Sequence, residues 1–337
     1  MWMLLPVFCL AIVHISGNNV AVIPDMAGAL DHDTYISTIV AYIILGIIIA
    51  AITAWIGVRT SQDLVVVARS IYGTRGKKVL ALALLSISIP ASALTGGYYA
   101  GEIVHRLTGI PYAVAALACL ALFSLLAVGY CHELLKISNY IGLLLIPILI
   151  FIFFLHDLQF NSVILKGDQV NWLLVLGLTG YNVGGMWSAL VVETAAYLSQ
   201  KGSKAILLVI LAKLVEGIFT LCMVYLVLST GAQGPLALSA VVSKVGGELM
   251  IDIFDIVLFC IFANTMAPAM LVNARQFSSL TGLSFWPALL LAASIVYVVS
   301  FLNFSLILSI MGYTALLMIL FIIYTAYFLH KYGINQQ

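Results

Sequence analysis

Ser16-Gly17-Asn18-Asn19 interrupts the first apolar run of this chain, and Tyr181-Asn182-Val183-Gly184-Gly185 interrupts the run that opens its second half. Each is a short polar, glycine-containing patch inside a segment that is otherwise apolar on both sides. A helix broken within hydrocarbon bares N–H and C=O groups that lipid cannot satisfy, so such gaps must line a cavity inside the protein. Two matched breaks, one in each half, point to a solute site near the bilayer midplane. The reading that grows from them is an all-α, polytopic membrane protein built to hold a small dissolved molecule.

Composition fits that class. The 337 residues are 64% hydrophobic and only 8% charged, against about 25% charged residues in soluble domains. Most of the surface must therefore meet lipid or other helices. The net charge of +1 gives no basic face for phosphates and argues against a nucleic-acid partner. Cys9, Cys119, Cys131, Cys222 and Cys260 lie in or beside apolar runs without CxxC spacing, and read as small hydrophobes. The chain is apolar from Trp2 with no basic leader region, which reads as a retained first span. His132-Glu133 lacks the second histidine of a zinc helix, and neither GxSxG nor a phosphate loop is present. The pattern gives no warrant for an enzyme or an organic cofactor.

A crossing needs about 20 apolar residues, and ten such spans are expected at 2–28, 35–57, 79–105, 112–130, 137–156, 171–198, 204–229, 247–276, 285–302 and 305–328. Arg59, Arg69, Arg75, Lys77, Lys78, Lys136, Lys201, Lys204 and Arg275 crowd the connectors after even-numbered spans. The basic side faces the cytoplasm, so both termini are expected there, in a cytoplasmic (inner) membrane. Five spans in 1–156 and five in 171–328 enter the bilayer in opposite directions, an inverted repeat in which each half opens with its broken helix. The whole chain is expected to form one transmembrane domain.

Within this frame Gly17, Asn18 and Asn19, with Asn182, Gly184 and Gly185, are candidates for solute contact: glycine lets a guest approach the backbone, and amides bond its polar groups. Glu193, an intramembrane carboxylate, is a candidate for proton coupling. Lys213 and Glu216, three residues apart on one helix, are expected to form a structural ion pair, as are Glu102 and Arg106 at i and i+4. Asp252 and Asp255 share a helix face and are expected to form a hydrated entry.

Ile56-Gly57-Val58-Arg59-Thr60-Ser61, followed by Ala68-Arg69-Ser70-Ile71-Tyr72-Gly73-Thr74-Arg75-Gly76, resembles the connector between the second and third helices of the nucleobase–cation symporters, the family of the cytosine permeases. The likeness continues through Thr108-Gly109-Ile110, Gly184-Gly185 and the stretch from Phe277 to Ser284. It implies the LeuT-type fold, with spans one, two, six and seven rocking against three, four, eight and nine. It also implies a solute held between the first, third, sixth and eighth helices. The family's polar and aromatic solute contacts fall at Ser88 and Ala91 on the third helix and at Gly185-Met186 on the sixth, so both stacking rings are absent; Trp187, Tyr98 and Tyr99 are candidate replacements. A sodium site is implied near Ile12, Ile15, Asn264 and Thr265. The expected function is cation-coupled transport of a small solute, first a nucleobase-like heterocycle. An amino acid or amine is the second choice, and a non-transporting sensor of the same fold is the other class.

Overall fold

The computed structural model describes residues 15–129, 132–155, 165–167, 169–183 and 185–333, and among them every regular element is helical. A π-helical stretch, Ile15–Val22, runs into α1 (Ile23–Ala29). Then follow α2 (His32–Thr60) and α3 (Leu64–Ser92), a second π-helical stretch, Ala93–Tyr99, and α4 (Ala100–Thr108). Next come α5 (Tyr112–Ala127), α6 (His132–Gly142), α7 (Leu145–Leu155), α8 (Trp172–Val183) and α9 (Gly185–Tyr197). The chain continues through α10 (Ser203–Thr230), α11 (Ala237–Gly246), α12 (Glu248–Thr281), α13 (Phe285–Val299) and α14 (Phe304–Tyr332).

Among the described residues, five continuous helical stretches are long and apolar enough to cross a membrane: His32–Thr60, Leu64–Thr108, Ser203–Thr230, Glu248–Thr281 and Phe304–Tyr332. Shorter apolar helices over Tyr112–Ala127, Tyr140–Leu155, Trp172–Tyr181 and Phe285–Val299 lie where the fourth, fifth, sixth and ninth spans are expected. The helices overrun the apolar runs because polar caps finish them outside. Asp63 accepts the Val66 N–H at 2.8 Å at the start of α3, and Asn303 accepts the Ser305 N–H at 2.9 Å at the start of α14, both as N-caps do. Within α3 the backbone turns at Gly73, whose φ of 68° and ψ of −161° suit glycine alone. The turn expected at Gly73-Thr74-Arg75-Gly76 thus sets the basic segment around Arg69 at an angle to the long third span. One element lies where only a connector is expected: α11, between the seventh and eighth spans.

Helices assemble in two groups. The second span, α2, packs on α8, α9 and α10, while the eighth, α12, packs on α3, α5, α6 and α13. α14 covers α8, α3 and α2. With little hydrophobic drive between helices in lipid, small residues at the contacts let backbones close in. At Gly57 an added Cβ would stand 2.3 Å from the Val192 carbonyl oxygen and 2.9 Å from Ala195 Cβ. Gly57→Ala must therefore part α2 from α9, at a cost of about 1–3 kcal/mol; a lower melting temperature in detergent checks this.

Candidate functional site

The first expected break is present as a wider helix rather than an unwound gap, since the backbone over Ile15–Val22 is π-helical and runs without interruption into α1. At the second, the chain is helical up to Val183 and again from Gly185, and the point of the expected break, Gly184, lies outside the described residues. So do Ile12 and the side-chain positions of Ile15, Gly17, Asn18, Asn182, Gly185, Met186 and Trp187.

A second π-helical stretch, Ala93–Tyr99, sits in the third span. It follows Pro90, which has no N–H to give to the ladder, and the Ala93 N–H at its start is shared between the carbonyls of Ile89 and Pro90. Neighbours then press on it. A Cβ on Gly96 would lie 2.5 Å from Met266 Cε, and one on Gly97 would lie 2.3 Å from Ser300 Cβ. The two π-helical stretches pack on each other, and both pack on α12. The backbones of the first, third and eighth spans therefore meet at widened turns, a feature frequent at functional sites.

Polar groups gather around this junction. Ser88 Oγ donates to Asn273 Oδ1, and Asn273 Nδ2 donates to Ser92 Oγ at 3.2 Å; all three residues are buried. This seam joins α3 to α12 and includes the third-helix candidate Ser88. Ala91, half-buried, packs against the core beside it. On α12, Asn264 keeps a buried amide oxygen with no hydrogen-bond partner among the described residues, and Thr265 Oγ1 donates to the Ile261 carbonyl at 3.2 Å. Tyr99 is buried and stacked on Phe262 at 6.0 Å, and Tyr98 is stacked on Phe304 at 6.4 Å. Both rings are thus engaged in packing.

Asn19 departs from the expected solute contact. Its side chain turns to α2 and α10, where its amide donates to Tyr42 OH at 3.2 Å, Glu216 Oε1 at 3.0 Å and Thr220 Oγ1 at 2.9 Å. Lys213 and Glu216 form the expected pair at 2.8 Å, each side chain 1% exposed. Glu193 is exposed in the second half of α9.

Two acidic expectations are corrected. Arg106 pairs across the fold with Asp255 of α12 instead of with Glu102 on its own helix. Asp255 is buried and also accepts from Ser239 Oγ of α11 at 2.8 Å, while Asp252 is exposed. The two aspartates do not share a hydrated entry, because a helix turns about 60° between positions three apart and only one of them meets the guanidinium. Asp25, unassigned from the sequence, is buried in α1 and accepts the N–H groups of Ala237 at 2.8 Å and Leu236 at 3.2 Å, capping α11. The signal for it was there: an aspartate inside an apolar run needs a partner. A cavity of about 290 Å³ opens beside α1 and the end of α10, lined by Tyr35, Lys166 and Gln233 among others.

No protein-family model matches the sequence, and no curated protein matches it. Solved structures do. The chain is similar to Mhp1 in an inward-facing conformation, with a TM-score of 0.64 at 18% identity over 93% of this chain and 75% of that one. It is similar to Mhp1, described as a nucleobase-cation-symport-1 family transporter, in a closed conformation with bromovinylhydantoin bound, with a TM-score of 0.65 at 18% identity over 93% and 77%. A manganese transporter of Eremococcus coleocola aligns with a TM-score of 0.58 at 14% identity over 98% and 80%. These neighbours are membrane transporters rather than enzymes, and what the likeness establishes is the architecture: the chain is an all-helical, polytopic membrane protein with the LeuT-type fold.

Proposed function

We propose that this chain is a secondary transporter that carries a small solute by alternating access, driven by a cation. The observation that carries the reading is the meeting of π-helical first and third spans on the eighth. Widened backbone inside a membrane protein belongs where it lines a site. The solute would sit among Gly17 and Asn18, Ser88 and Ala91, and Asn182 to Trp187. A nucleobase-like heterocycle is the first choice, supported by the fold shared with a transporter solved with bromovinylhydantoin bound. Sodium is the first choice of driving ion. The Asn264 amide oxygen, without a hydrogen-bond partner among the described residues, and the hydroxyl of Thr265 would join carbonyls of the first span near Ile12 and Ile15 as the oxygen donors that a hard cation takes. Coupling follows if the ion favours the solute-competent state, since a ligand shifts an equilibrium only by its differential affinity. Both termini are placed in the cytoplasm on the bias of the basic residues.

The test is uptake into liposomes of labelled cytosine, hydantoin and amino acids, driven by a sodium or a proton gradient. Accumulation of a heterocycle in sodium supports the reading, accumulation of an amine moves the substrate class, and binding without flux points to a sensor. Asn264→Leu is expected to lower sodium-driven uptake at least tenfold while leaving the melting temperature in sodium-free buffer close to that of the parent protein.

A further inference from the structure

A buried lysine of α10 stands close to the first span, beside Asn19. Lys213 Nζ is 2.8 Å from Glu216 Oε1 and 2.8 Å from Tyr42 OH. It also lies 4.0 Å from the centroid of the Tyr42 ring. On the other side of the carboxylate, the Asn19 amide donates to Glu216 Oε1 at 3.0 Å, to Thr220 Oγ1 at 2.9 Å and to Tyr42 OH at 3.2 Å. Asn19, Tyr42, Lys213, Glu216 and Thr220 are all buried.

An ordinary pair on one helix needs two side chains. Here the groups come from three elements: the π-helical first span, α2, and α10. The oxygens are a carboxylate, a phenol, a hydroxyl and, on rotating the Asn19 amide by half a turn, an amide carbonyl. This is the oxygen set, with one net negative charge, that suits a small monovalent cation. The fold also makes room for the lysine stem. A Cβ on Gly46 of α2 would stand 2.5 Å from Lys213 Cε and 3.5 Å from Nζ, so the ammonium reaches the oxygens through a notch that only glycine leaves open.

We propose that the cluster of Asn19, Tyr42, Glu216 and Thr220 is a monovalent-cation site that the chain fills with its own Lys213 ammonium. The tethered charge takes the place of a dissolved ion, and it fastens the π-helical part of the first span to α2 and α10 whatever the salt outside. This goes beyond the transport reading and does not depend on it, since it concerns no solute.

The experiment empties the cage. Lys213→Ala is solubilised and purified in parallel in choline chloride, sodium chloride, potassium chloride and methylammonium chloride, and melting is followed in each. The expected result is a melting temperature that climbs with sodium, potassium or methylammonium by on the order of 5 °C more than the parent protein's, as mass action on a vacated site requires. Lys213→Met, which fills the notch without charge, and Lys213→Ala/Glu216→Gln, which removes the carboxylate, should respond no more than the parent. Should Lys213→Ala be recoverable only as aggregate in choline, recovery of monodisperse protein in one of the three cations is the supporting result. Equal behaviour of Lys213→Ala in all four salts, or the same cation response in Lys213→Met, overturns the proposal.

Discussion

Glu216→Ala is expected to destabilise the protein by about 3–5 kcal/mol, the largest effect of any single change considered, because it strands a buried charge. Lys213 Nζ would lose one of its two oxygen contacts at 2.8 Å, and the Asn19 amide would lose another acceptor. The loss is not a measure of what the pair contributes. Replacing both charges together by apolar groups of similar volume, as in Lys213→Met/Glu216→Leu, should restore much of the stability, since the desolvation cost vanishes with the attraction. Equilibrium unfolding of the three variants against the parent in mixed micelles reads the pattern. A double variant as unstable as Glu216→Ala would show that the hydrogen bonds to Asn19 and Tyr42, rather than the charges, dominate.

The second large effect is expected at Asp25. Its carboxylate receives the Leu236 and Ala237 N–H groups, which are orphan donors of the first turn of α11. Asp25→Ala leaves both without an acceptor in a buried setting, where each unmet donor costs about 1–3 kcal/mol. The local consequence is the sharper test: amides of α11 should exchange with deuterium at least tenfold faster, while those in the middle of α10 and α12 stay protected. Asp25→Asn, which retains an acceptor oxygen, should show a smaller acceleration.

Residues that interact with near neighbours on one helix were legible in the sequence, and those that interact across the fold were not. Lys213 and Glu216 lie on one helix face and pair as their spacing says. Glu102 and Arg106 have equally good spacing, yet the guanidinium goes to Asp255, 149 positions away, because a buried carboxylate holds a cation more tightly than one on the same partly exposed helix. Asp25 is the same case, since no local pattern announces the α11 donors it meets 211 and 212 positions away. The apolar runs marked the long helices over His32–Thr60, Leu64–Thr108, Ser203–Thr230, Glu248–Thr281 and Phe304–Tyr332 because hydrocarbon imposes their length. The first break was visible in Gly17-Asn18-Asn19, although the backbone answers it by widening rather than unwinding. The π-helical turn at Ala93–Tyr99 had its signal in Pro90 and Gly96-Gly97, which also read as ordinary close packing in a membrane helix.

The helix α11 is tied at several points to different spans: to the first through Asp25, to the eighth through Ser239 and Asp255, and to the seventh through Lys244 Nζ, which donates to the Thr230 carbonyl at 2.7 Å. Arg106 adds the third span to the same knot. Any widening of the molecule on this side that parts the first span from the eighth must rupture one of these ties or drag the short helix along with one partner. On the transport reading, access from that direction would work like a drawbridge on several chains, with the first chain to slip setting how readily a guest can pass.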